Sequence, residues 1–182
     1  MSEKRALKSK SSNVLTNEKS EEKLPTTGSL GGLSPLYQRR VLREIQSLQK
    51  EPVDFVTPEF NAEKLTEIIC YIEGPKDSIY AGEKFTLKIT FTNSYPMECP
   101  IVVFVPPMVP KHEHCYTNGH ICLSILYDQW SPSITVKGIL LSIVSMLSSA
   151  KVKKHPIDNR DYVRHAPSNP KETTWDFHDD KC

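Results

Sequence analysis

The segment from about Thr135 to Ser149 constrains the fold most strongly. Val136, Ile139, Leu140, Ile143, Met146 and Leu147 fall at helical spacing and nearly encircle the axis. A helix that is apolar on most sides must be covered on most sides, so this one reads as a buried central helix. Upstream, Leu65 to Glu73 is rich in β-branched residues and stops at Gly74-Pro75, a turn signal. Phe85, Leu87, Ile89 and Phe91 then alternate with Thr86, Lys88, Thr90 and Thr92, the period of a half-buried strand. Pro100 precedes a wholly apolar third strand, Ile101 to Val105. Short strands joined by turn chemistry predict an antiparallel meander.

A first helix is predicted from Ser34-Pro35, an N-cap followed by a proline where its missing N–H costs nothing. Tyr37, Val41, Ile45 and Leu48 give it one apolar stripe, and Pro52 ends it. Arg39, Arg40 and Arg43 lie off that stripe, the ordinary position of a solvated face. Residues 1–34 hold seven serines, three glycines and only eight apolar residues. Such a composition cannot offset its ordering entropy by burial, so a disordered tail is expected there. The 182 residues then allow one core of about 150 residues.

Charge and apolar runs exclude several classes of function. Twenty-three Lys and Arg against twenty-two Asp and Glu leave a net charge of +1, which argues against binding to nucleic acid or to an anionic membrane surface. No apolar run approaches the roughly 18 residues of a membrane span. The first thirty residues are rich in Lys and Glu and lack an apolar core, so no secretory signal is expected. Five cysteines without repeating spacing suit free thiols in a reducing compartment, hence the cytoplasm or nucleus.

From Pro106 to Thr135 no period holds, which is long for a loop in a compact domain and marks it as functional. Within it His112, His114, Cys115, His120 and Cys122 fall in eleven residues. Three readings stand. A zinc site needs four converging ligands, yet the spacing matches no pattern whose turns aim ligand pairs inward, so no metal is expected. A structural loop would bury a small inert Cys among incidental histidines. A reactive thiol at Cys122 would sit beside a polar platform for an acyl oxyanion.

Resemblance separates these readings. Gly119-His120-Ile121-Cys122-Leu123-Ser124-Ile125-Leu126, followed by Trp130-Ser131-Pro132, resembles the active-site signature of ubiquitin-conjugating enzymes. Arg43-Glu44 and Leu48-Gln49 in helix one, Tyr95-Pro96 and Pro100 after the strands, and Leu140-Leu141-Ser142-Ile143 in helix two stand in that family's order. The resemblance covers roughly residues 35–150. Asp158-Asn159, Tyr162-Val163-Arg164, Asn169-Pro170-Lys171 and Trp175 through Cys182 are similar to the family's W-type branch, which attaches ubiquitin to N-terminal α-amino groups.

The resemblance implies an α/β (α+β) fold: an N-terminal helix, a four-stranded antiparallel meander, an active-site loop and a central helix. After Ala150, Pro156, Pro167 and Pro170 break any long helix, so residues 151–182 read as an atypical, partly flexible extension, between a packed flap and a mobile tail. Cys122 matches the thioester cysteine. His112-Glu113-His114 stands where most relatives carry His-Pro-Asn, so His114 takes the position assigned to oxyanion stabilisation or loop support. Lys153-Lys154-His155 stands where relatives hold an acidic or hydroxyl group for the incoming lysine, with Asp158 as a distant substitute. Arg39, Arg40 and Arg43 match positions that meet the activating enzyme. Met97, Ser131 and Pro132 match loops that receive RING or U-box ligases, and Trp130 between them reads as packing core. Partners implied are ubiquitin, the activating enzyme, such ligases and substrates with flexible N-termini. No cofactor is implied, since ATP is used by the activating enzyme upstream. The alternatives are a carrier for another ubiquitin-like modifier and a non-catalytic scaffold of the same fold.

Overall fold

The structure, a computed structural model, describes residues 34–61 and 64–177; residues 1–33, 62–63 and 178–182, with all of the expected tail but Ser34, lie outside it. Helix α1 (Pro35–Lys50) starts where Ser34 Oγ accepts the Tyr37 N–H, with Pro35 in its first turn. Its stripe of Tyr37, Val41, Ile45 and Leu48 is buried as predicted. Four antiparallel strands follow, β1 (Val56–Phe60), β2 (Glu67–Glu73), β3 (Lys84–Thr90) and β4 (Ile101–Phe104), in the order β1-β2-β3-β4. Three of these carry the alternation or apolar run seen in the sequence.

Strand β1 has no legible period of its own because Pro58 interrupts it. A proline removes one ladder donor, which only an edge strand tolerates, and β1 is the edge: Pro58 pairs opposite Cys70 of β2. Ile68, Cys70 and Ile72 of β2, Phe85, Leu87 and Ile89 of β3, and Val102 and Phe104 of β4 point into one core. Helix α2 (Val136–Ser149) supplies the other side with Val136, Ile139, Leu140, Ile143, Met146 and Leu147. Thr135 caps it by accepting the Gly138 N–H at 3.1 Å. Among the described residues no helix is long and apolar enough to cross a membrane.

Beyond Ala150 the chain continues as an irregular run, then a two-turn helix α3 (Asn159–His165) and a 3-10 turn, Pro170–Glu172. The prolines limit helix length as expected, and α3 fits between Pro156 and Pro167. After Ala150 the chain meets the loop before Cys122 through Asn159 Oδ1, which accepts the Thr117 N–H at 2.9 Å, and through Tyr162 and Trp175, both against Tyr116.

Candidate active site

The loop that the sequence left without a period is built around one tight hairpin. Gly119 sits at φ +93°, a left-handed conformation, and a side chain there would collide with the Phe104 carbonyl at 1.9 Å. That closeness lets the Phe104 N–H donate to the Gly119 carbonyl at 2.8 Å, which anchors the turn on β4. The Gly119 N–H reaches Tyr116 O, the Tyr116 N–H reaches His120 O, and Cys115 bridges Ile121. One residue further out, the Cys122 N–H donates to His114 O at 2.8 Å.

His114 closes that pair from its side chain as well. Its Nδ1 lies 3.0 Å from the Cys122 carbonyl. A carbonyl only accepts, so Nδ1 carries the hydrogen of this bond. His114 therefore grips Cys122 backbone on both sides, the loop-supporting half of the role that the resemblance offered. His112 lies beneath it, 3% exposed, with Nδ1 accepting the His114 N–H and the ring bonded to the Met146 backbone of α2. Burial first, then the neighbouring His114, pushes its pKa down to about 4, so it is neutral at ordinary pH. His120 is neutral for the same first reason and has both ring nitrogens engaged, by Tyr162 Oη at 2.8 Å and by the Ser168 backbone. The imidazoles weighed as zinc ligands thus hold the loop together.

The thiols divide sharply. Burial pushes Cys70 and Cys99 up to about 12 and Cys115 higher still, which keeps them protonated and inert. Cys122 instead lines a cavity of about 830 Å³ with His114, Glu113, Lys154, Asp158 and Trp175 among its walls. Asp158 faces that cavity from the start of α3, its carboxylate accepting from Tyr116 Oη at 3.1 Å. Around it stands an aromatic group that the sequence showed only as scattered residues: Trp175 lies 5.8 Å from Tyr116, 5.1 Å from Tyr127 and 5.4 Å from Tyr162 between ring centres.

The basic stretch after α2 differs from expectation. Lys153 pairs with Glu83, Lys154 pairs with Glu113 at 2.8 Å, and His155 Nδ1 donates to the Cys115 carbonyl. Both lysines are matched by a carboxylate, so a bare positive wall against lysine is not what this site presents. Glu113, read as a solvated turn residue, is the partner of one of them.

On the opposite end of α2 the candidate docking residues cluster. Met97 is 75% exposed, and Trp130 Nε1 donates to the Pro96 carbonyl at 2.9 Å, tying the loop of Met97 to that of Ser131 and Pro132. Arg39 and Arg43 are exposed on α1. Arg40 is not a surface residue of the same kind. Its guanidinium meets Glu44 at 2.5 Å and donates to the Pro132 and Ile134 carbonyls at 2.7 Å each, so it serves as a brace between α1 and that loop.

The ubiquitin-conjugating enzyme family model matches residues 40–176, past the limit of the sequence resemblance. The chain is 44% identical over 147 residues to the probable ubiquitin-conjugating enzyme E2 W-A of Danio rerio, covering 80% of this chain and 97% of that one. It is 44% identical over 150 residues to the ubiquitin-conjugating enzyme E2 W of Caenorhabditis elegans, 81% of this chain and 99% of that one. Among solved structures it is similar to the ubiquitin-conjugating enzyme E2 UbcA1 of Agrocybe aegerita, with a TM-score of 0.71 and 38% identity over 76% of this chain and all of that one. With a matching fold, a matching family model and W-type relatives aligned over most of its length, the chain belongs to the ubiquitin-conjugating enzyme family.

Proposed function

We propose that Cys122 carries ubiquitin as a thioester and delivers it to N-terminal α-amino groups. The observation that carries this reading is the position of Cys122: a thiol at the wall of a wide cavity, its backbone clamped on both sides by His114. In the first half-reaction Sγ attacks the carbonyl carbon of the acyl group on the activating enzyme. The new S–C bond forms, the old one breaks, and the proton of Cys122 leaves with the departing thiol. In the second, an amine attacks the same carbon, C–Sγ breaks, sulfur leaves as thiolate and the nitrogen gives up a proton. Sulfur suits both halves as nucleophile and leaving group.

An α-amine, with a pKa of about 7.7 to 8.0 against about 10.4 for lysine, is partly neutral at physiological pH and needs little help to lose a proton. That supports α-amine selectivity without the electrostatic wall. Asp158, which lines the same cavity, is proposed to orient the incoming amine. Arg39 and Arg43 are proposed to meet the activating enzyme, which consumes the ATP, and Met97, Ser131 and Pro132 a RING or U-box ligase in the cytoplasm or nucleus. The test is a charging assay with activating enzyme, ATP and ubiquitin, then discharge onto peptides. A reductant-sensitive adduct is expected in wild type, Cys70→Ser and Cys115→Ser, and a stable oxyester in Cys122→Ser. An adduct surviving in Cys122→Ala overturns the assignment. Discharge to acetylated, lysine-bearing peptides as fast as to free N-termini overturns the selectivity.

A further inference from the structure

The nucleophile is covered by its own chain. Cys122 is 8% exposed, and its Sγ–H points at the Asp176 carbonyl 3.6 Å away. A thioester carbon must come within about 3–3.5 Å of that sulfur to react, on a trajectory free of other atoms. The segment 173–177 therefore lies where an acyl group must pass. Side-chain contacts contribute to its hold. Thr173 Oγ1 meets Tyr162 Oη at 2.9 Å, Trp175 Nε1 donates to Pro170 O at 3.0 Å, and Phe177 stacks on Tyr127 at 5.8 Å. Among the described residues, no backbone hydrogen bond joins 174–177 to the hairpin, and Thr173, Trp175 and Phe177 are each half-exposed. A partly exposed segment outside the sheet and the helices opens at lower cost than the fold itself.

We propose that residues 173–177 form a strap that closes over the uncharged Cys122 and must swing away before ubiquitin can be loaded, with Trp175 as its latch. Trp175 is the latch because it touches three tyrosines at once, Tyr116 on the hairpin, Tyr127 behind it and Tyr162 on α3. The strap acts on charging: it lowers the fraction of enzyme with an open thiol and leaves the intrinsic reactivity of Cys122 unaltered.

This inference rests on Cys122 being the acylated residue, and its test separates the two. Full-length wild type, Trp175→Ala and Phe177→Ala are treated with iodoacetamide, where Cys122 sulfur displaces iodide and its proton goes to solvent. The modification of each cysteine is timed by peptide mass mapping, with buried Cys115 as internal reference. Charging at limiting activating enzyme is measured in parallel. A strap closed nine-tenths of the time or more predicts about a tenfold gain or greater in Cys122 alkylation for Trp175→Ala. Phe177→Ala is expected to give a smaller gain, Cys115 to stay protected, and charging to accelerate in the same order. Equal alkylation of Cys122 in wild type and in a folded Trp175→Ala overturns the strap. If Trp175→Ala melts or exposes Cys115, Phe177→Ala decides on the same criterion. Faster alkylation combined with an adduct that persists in Cys122→Ala would keep the strap and refute the thioester assignment.

Discussion

Two polar junctions hold loops in this molecule, one at each end of α2, and they are built on opposite principles. At the N-terminal end Glu44, 2% exposed, takes Arg40 and the Tyr95 hydroxyl at 2.5 and 2.7 Å on one oxygen and the Val136 N–H at 2.9 Å on the other. One buried carboxylate thus locks α1, the loop after β3 and the start of α2. At the active-site end the same task falls to imidazole rings, that of His112 neutral: His112 and His114 hold the Cys122 loop by hydrogen bonds beside a cavity. A buried charge with both oxygens hydrogen-bonded is stiff, and costly if any partner is lost. Neutral hydrogen bonds are worth about 1 kcal/mol each and tolerate movement. The Glu44 junction is fixed and the Cys122 junction is adjustable.

The sharpest way to break this contrast is Glu44→Ala. It leaves the Val136 N–H and the Tyr95 hydroxyl buried without an acceptor and Arg40 without its carboxylate. Breaking such a pair typically costs about 3–5 kcal/mol, read as a drop in the urea midpoint. A loss below about 1 kcal/mol would mean that the carboxylate only fills space.

The two junctions also differ in how visible they were beforehand. Helices α1 and α2 and strands β2 to β4 are legible because packing demands a period, and Val41, Ile89 and Ile143 obey it. Strand β1 is not, because Pro58 is tolerated only by its edge position, which is a property of the sheet. Cys122 is legible through the signature around it. Glu44 is hidden, since an acid among arginines on a helix reads as solvated, and only the fold brings the α2 N-terminus and Tyr95 onto it. The orientation of His114 is equally invisible, as is the strap, whose Trp175 and Phe177 stand in a polar stretch without period.

The second expectation concerns pH. His112 has its pKa pushed from an ordinary value near 6.5 to about 4 in the folded protein. The unfolded chain therefore binds the extra proton first, and stability is complete above about 6.5 and falls as pH drops towards 4. The full loss is about 3 kcal/mol at one pKa unit per 1.36 kcal/mol. Urea midpoints between pH 7 and pH 4.5 should fall steeply in wild type and less so in His112→Gln. Parallel slopes would show that other groups set the acid limit.

His114 sharpens the comparison on the catalytic side. With Nδ1–H bound to the Cys122 carbonyl, His114→Ala loosens the proposed nucleophile, so charging and discharge should both slow, by about 10- to 100-fold. An Asn at this position, as in most relatives, should recover much of the rate. Slowing confined to discharge would restore the oxyanion role at the expense of the positioning one.

The smallest effect is expected from Glu113, where an exposed ion pair stands between the two extremes. Its side chain and that of Lys154 are 45% and 60% exposed, so the pair itself is worth about 0–1 kcal/mol after solvent screening. The Lys154 hydrogen bond is the main reason that the Glu113 carboxyl is held below its usual range, so it is ionised wherever the enzyme works. Its consequence is local. Both residues line the cavity of Cys122, and while Glu113 is present an arriving ammonium meets a neutralised Lys154. Glu113→Gln leaves that cation unmatched, and discharge to a peptide N-terminus should slow by up to about fivefold at low salt, the factor that 1 kcal/mol allows. The deficit should vanish at high ionic strength, where the charge is screened over about 3 Å at 1 M salt. Lys154→Met in the same background should restore the wild-type rate without salt. A deficit that persists in the double variant would mean that Glu113 acts on the amine directly.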